Sequence, residues 1–107
     1  MSTFPIDAVV EHIRHHHPGC PDFAVAYFSE EITRRDWRDA SLGQAVGITM
    51  HNFLRHEMTE YETLLLHGMD RKEARLRVQP RIDAMLRLWR KKPRTKKQKR
   101  SPEVGNV

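Results

Sequence analysis

Apolar side chains along this chain recur at helical spacing and nowhere sustain the alternation of a strand. Ile6, Val9, Val10 and Ile13 fall at i, i+3, i+4 and i+7 and predict a first helix from about Pro5 to His16. Pro18-Gly19 stops it, and Pro21 opens a second helix that carries Phe23, Ala24, Tyr27 and Phe28 and ends near Arg35. A third helix has a sharper start. Ser41-Leu42-Gly43-Gln44 fits a capping box, in which the Ser hydroxyl and the Gln side chain satisfy each other's orphan backbone N–H groups. Behind it Leu42, Val46, Met50 and Phe53 form one stripe, with His51, Asn52 and Arg55 expected on the wet back, and the helix runs to about Glu57.

The same capping logic returns at Thr59 and at Asp70, and Gly68 sits where a left-handed residue closes a short helix between them, from Glu60 to His67. A long helix follows from Arg71 to about Lys92. Its Ala74, Val78, Ile82, Met85 and Trp89 lie within about 40° of one line at 100° per residue. Pro80 in its middle removes a hydrogen bond and crowds the preceding turn, so a kink or a break is expected there. The apolar line keeps its phase across Pro80, which favours the kink. The pattern as a whole predicts an all-α fold, a small bundle of about five helices over residues 1–92.

Charge divides the chain differently. Residues 90–107 hold eight basic side chains against Glu103 alone, a net +7; the other 89 residues hold 11 basic and 13 acidic, a net −2. A segment so rich in lysine, with Pro93 and Pro102 and no apolar run, cannot bury enough surface to fold, so residues 93–107 are expected to be a disordered basic C-terminal tail. No apolar run reaches bilayer length, and Asp7 and Glu11 interrupt any secretory core, so a soluble cytoplasmic protein without membrane contact is expected. In a eukaryote KKPRTKKQKR would also serve as a nuclear localisation signal. A lone Cys20 makes no internal disulfide and fits a reducing compartment.

The chemistry-bearing patterns are thin. RHEMTEY contains His56-Glu57, but a zinc-protease helix needs a second histidine four residues on, where this chain has Glu60. His12, His16 and Cys20 are the other metal candidates. No second cysteine or paired acid completes a tetrahedral set, and solvated histidines on a helix flank are the expected reading. There is no glycine-rich phosphate loop and no nucleophile elbow, and Cys20 has no evident activating base beyond the His15-His16-His17 run. No metal, no cofactor and no enzymatic activity are expected.

One segment has a recognisable look. RHEMTEYETLLLHGMDRKEARLRVQPRIDAMLRLWR resembles the bacterial and fungal family known as domain of unknown function 2293, through Arg55, His56, Thr59, Tyr61, Leu64, Leu65, Gly68, Arg71, Ala74, Arg75, Trp89 and Arg90. The upstream HHHPGCP, with Pro18, Gly19, Cys20 and Pro21, is similar to the same family's leading segment. The resemblance implies an all-helical fold and brings no activity with it.

Within RHxxTxY, one reading is structural. Thr59 caps, Tyr61, Leu64 and Leu65 pack inward, and Arg55 or His56 bonds carbonyls at the end of the third helix. The other has Arg55, His56, Arg71 and Arg75 converging on a phosphate or carboxylate. Nucleic-acid (DNA or RNA) association is the first functional expectation. The folded face is assigned to Arg71, Lys72, Arg75, Arg77 and Arg81, and the arm to Lys91, Lys92, Arg94, Lys96, Lys97, Lys99 and Arg100. The alternative is a protein-protein interaction or homo-oligomerisation module, such as a homodimer, with Trp37, Phe28 or Ile48 exposed as anchors.

Overall fold

A computed structural model describes residues 3–92. The predicted basic tail, with Arg94, Lys96, Lys97, Lys99 and Arg100, lies outside them. Five helices follow in order: α1 (Ile6–His16), α2 (Asp22–Arg34), α3 (Leu42–Glu57), α4 (Tyr61–Leu66) and α5 (Arg71–Arg90). The fold is all-α, and the described residues contain no strand. None of the described helices is long and apolar enough to cross a membrane.

Local chemistry sets most of the boundaries. Gln44 N–H donates to Ser41 Oγ at 3.1 Å and Ser41 N–H donates back to Gln44 Oε1 at 2.8 Å, which completes the capping box of α3. Asp70 Oδ2 accepts from the N–H groups of Lys72 and Glu73 and opens α5. Gly68, at φ 93°, closes α4, with Gly68 N–H bonded to the Leu65 carbonyl and Met69 N–H to that of Leu64. That pair of bonds is a Schellman closure, and only glycine takes the required φ without strain.

Thr59 behaves differently from a simple cap. Its hydroxyl donates back to the Arg55 carbonyl and accepts from Tyr61 N–H at 3.2 Å, so one side chain links the last turn of α3 to the first turn of α4. The carbonyl contact expected from Arg55 or His56 is made by Thr59 instead. At Pro80 the helix does not break: α5 is continuous, with Ala74, Val78, Ile82 and Leu86 buried at a strict four-residue spacing across it. Pro80 is exposed, so the carbonyl it leaves unpaired one turn earlier lies on the water side.

The core is assembled from one stripe of each helix. Val9 and Ile13 of α1, Phe28 and Ile32 of α2, Val46, Met50 and Leu54 of α3 and Ile82 of α5 are the largest fully buried apolar side chains. α3 is the central element and packs on all four of the others. Phe28 joins three of them, its ring edge-on to Phe53 at 5.3 Å and tilted against Trp89 at 5.9 Å. Two interface anchors expected at the surface are therefore core residues: Phe28 is 0% and Trp37 6% exposed, while Ile48 is exposed. Trp37 is drawn in because its indole N–H bonds the Ile32 carbonyl at 2.8 Å, capping the end of α2, with the Arg35 guanidinium over the ring at 4.3 Å.

A long-range contact joins the two ends of the fold. Gly19 N–H donates to the Trp89 carbonyl at 2.7 Å, supplying one of the donors that the C-terminus of α5 lacks. A Cβ on Gly19 would stand 2.7 Å from the Lys91 oxygen, 2.8 Å from that of Leu88 and 3.1 Å from that of Trp89. The Pro18-Gly19-Cys20 turn and the closing Trp89-Arg90 pair thus form a single clasp.

Candidate functional site

α5 carries the folded part of the predicted basic surface. Arg71, Lys72, Arg75, Arg77 and Arg81 are exposed, and so are Arg87, Arg90, Lys91 and Lys92. The ion pairs among the described residues involve Arg14, Arg34, Arg38 and His56, and none of the α5 cations. These charges are not one row. At about 100° per residue Arg77 and Arg81 lie on one side of the outward face, and Lys72, Arg87 and Arg90 on the other. An apolar ridge at four-residue spacing, Leu76, Pro80, Ala84 and Leu88, crosses the outward face obliquely from the Lys72 side to the Arg81 side, with Leu76 68% and Leu88 63% exposed. Sequence spacing alone had concealed this ridge, because the same helix also buries its opposite stripe.

The RHxxTxY segment forms the corner between α3 and α4. Tyr61 is buried, with Arg55 above its ring at 5.8 Å and His56 edge-on at 5.2 Å. His56 Nδ1 lies 2.9 Å from Glu62 Oε2, so the carboxylate fixes Nδ1–H as the donor. Arg55 Nη1 donates to Asn52 Oδ1 at 3.1 Å, and its Nε is buried with no acceptor. The side-chain hydrogen bonds, ion pairs and ring contacts of Arg55 and His56 run to Asn52, Tyr61 and Glu62, and none reaches Arg71 or Arg75. The expected four-residue anion site is thus not joined by any direct contact.

Two clefts flank this corner and share Asn52. The larger, about 770 Å³, lies between the α2–α3 connector and one face of α3, with Trp37, Ala40, Gly47 and Ile48 as apolar lining, Gln44, His51 and Asn52 as polar lining and Asp36, Arg38, Asp39 and Arg55 as charged lining. The smaller, about 370 Å³, is more polar and holds Glu31, Arg35, His56, Glu57 and Glu62. His51 and Arg55, expected on the wet back of α3, are half-buried because the connector folds over that face. His51 is also turned back on its own helix, Nδ1 to the Gly47 carbonyl at 2.9 Å.

The histidine-cysteine candidates are not gathered into a ligand set. His12 and His16 stack ring on ring at 4.3 Å, and among the described residues no group of three or more His, Cys, Asp or Glu side chains is placed to hold a metal ion. Cys20 is buried, and burial pushes its thiol up to about 11 against the opposing pull of Arg14, so it stays protonated at neutral pH. His17 goes the other way. Burial first, then the charges of Arg90, His12 and His16, lower it to about 4.

The family whose model matches the chain is described as Uncharacterized conserved protein (DUF2293), over residues 17–90, and the chain belongs to it. The matched stretch opens at the Gly19 turn and closes on Trp89-Arg90, the two sides of the clasp. Neither a curated protein nor a solved structure matches the chain.

Proposed function

We propose that this member of the DUF2293 family associates with nucleic acid through the cations of α5 and the basic residues that follow it. The observation that carries the reading is that Arg71, Lys72, Arg75, Arg77, Arg81, Arg87 and Arg90 are all exposed and make no ion pair among the described residues. They are spread along a helix of 20 residues, about 30 Å at 1.5 Å per residue. A duplex presents one negative charge per about 1.7 Å of axis, so a rod of unpaired cations this long finds several phosphates and releases their counterions. Lys91, Lys92, Arg94, Lys96, Lys97, Lys99 and Arg100 extend the same charge along the chain. The described helices carry no recognisable base-reading motif. Binding is therefore expected to tolerate sequence and to fall steeply with salt.

Binding of the full chain to a short duplex and to a structured RNA, across a salt series, tests this. A chain ending at residue 92 keeps every described helix and isolates the folded share. If that chain retains affinity and loses it on replacing Arg77 and Arg81 with glutamine, α5 is the contact surface. If it does not bind at all, the folded body is no nucleic-acid surface.

A second reading has its own observation. The exposed Leu76-Pro80-Ala84-Leu88 ridge, with Leu66 also 87% exposed, supports contact with a protein, and arginines beside the ridge suit an acidic partner. Duplex binding that survives Leu76→Gln and Leu88→Gln together separates this reading from the first.

A further inference from the structure

The larger cleft, distant in role from the basic surface of α5, combines three features that the fold itself does not require. The first is Gly47. It sits mid-helix with ordinary helical φ, and a Cβ built there meets nothing within 4 Å. Glycine inside a helix is less favourable than alanine, because its backbone loses more freedom on folding. Neither packing nor backbone conformation asks for it here. What it does is leave the α3 backbone bare along the floor of the cleft.

The second feature is the balance of hydrogen-bonding groups. Gln44 Oε1 is already engaged by Ser41 N–H, and Asn52 Oδ1 by Arg55 Nη1. Their amide NH2 groups are left as donors, that of Asn52 beside the guanidinium of Arg55 and that of Gln44 nearer the start of α3. The third is Arg55 Nε, buried without an acceptor, a desolvation cost that an oxyanion drawing the guanidinium into the cleft would relieve. Around these donors the walls are apolar: Trp37, whose indole is fixed by its bond to Ile32, and Ile48, left 46% exposed. Asp36 and Asp39 also line the cleft, on the connector that leads into the other end of α3, where Asp36 pairs with Arg38 at 3.7 Å, so a negative group is favoured at the Arg55 end.

We infer that this cleft binds a small organic carboxylate with a flat apolar body. The volume of about 770 Å³ suits such a ligand, the apolar walls take its body, and the Arg55–Asn52 end takes its charge in the two-pronged geometry that guanidinium and carboxylate share.

The test uses the full-length chain, with 2-naphthoate as probe and 2-naphthamide as its neutral isostere, followed by calorimetry and by backbone amide shifts. Naphthoate is expected to bind with Kd below about 1 mM and the amide at least about tenfold more weakly, a difference of about 1.4 kcal/mol. The largest shifts are expected at Gly47, Ile48 and Asn52. Gly47→Leu, whose side chain enters open space, keeps the helical content and abolishes binding. Ile48→Glu, at an exposed position, does the same by charge. Arg55→Gln brings naphthoate down to the affinity of the amide. The inference is overturned by equal binding of acid and amide, by binding that survives both Gly47→Leu and Ile48→Glu, by shifts centred on α5, or by no saturable binding of naphthoate at about 5 mM. None of these outcomes bears on the α5 reading.

Discussion

Gly19→Ala is the substitution on which the clasp between the Pro18-Gly19-Cys20 turn and α5 stands or falls. The added methyl would enter a space bounded by three backbone oxygens, at 2.7 Å from Lys91, 2.8 Å from Leu88 and 3.1 Å from Trp89. None of them can rotate aside as a side-chain tip would, so the turn must lift from the helix end. Overpacking of this kind costs about 1–3 kcal/mol. Stretching the Gly19 N–H bond to Trp89, now 2.7 Å, adds about 0.5–1.5 kcal/mol, because the helix end then lacks a donor. The smaller entropy of an unfolded alanine returns about 0.4–1 kcal/mol. The net is a loss of about 0.5–4 kcal/mol, centred on about 2 kcal/mol, which is about 8–16 °C in Tm for a domain of this size. Thermal unfolding followed by circular dichroism measures it. Gly47→Ala is the internal control: the same methyl meets open space in mid-helix and is expected to stabilise by about 0.5–1 kcal/mol. A Tm drop of less than about 3 °C for Gly19→Ala, or equal effects at the two glycines, would refute the clasp.

Other consequences can be checked by urea titration. Folded His17 sits at about 4 against an ordinary 6.5, so the unfolded chain binds the extra proton between those values. The contribution is fully present above about pH 6.5 and is lost as pH falls toward 4; with partial solvent screening it is on the order of 1–2 kcal/mol. His17→Gln should flatten the stability–pH curve in that window, and an unchanged curve would contradict the assignment. Thr59→Val keeps the shape and deletes the hydroxyl that links Arg55 to Tyr61, and should cost about 1–2 kcal/mol, whereas Thr59→Ser should cost clearly less. Equal losses in the two variants would mean that the methyl, not the hydrogen bonds, matters.

What the sequence made legible was local. The Ser41–Gln44 box, the Asp70 cap and the Gly68 closure depend on residues within a turn of one another, and each was found where its pattern predicted. The stripes were legible to within one position: Phe53 and Met85 were expected on them, but Leu54 and Leu86 are the more buried, because the neighbours decide which flank of a stripe is covered. Trp37 was misplaced at the surface because the carbonyl it bonds, Ile32, is exposed only once α2 ends. The Gly19 contact was illegible because its partner lies 70 residues away. The α3 cleft escaped because it exists only when the connector folds over His51 and Arg55. Its one sequence signal was a glycine with no turn to make.

The most direct test of the proposed function is the salt dependence of duplex binding by the full chain and by the chain ending at residue 92. If about three α5 cations contact phosphates in the shorter chain, log K should fall against log salt with a slope near −3, and replacing Arg77 and Arg81 by glutamine should reduce that slope by about two. A shorter chain that does not bind, or whose slope is indifferent to Arg77 and Arg81, would contradict the proposal and turn attention to the apolar ridge beside them.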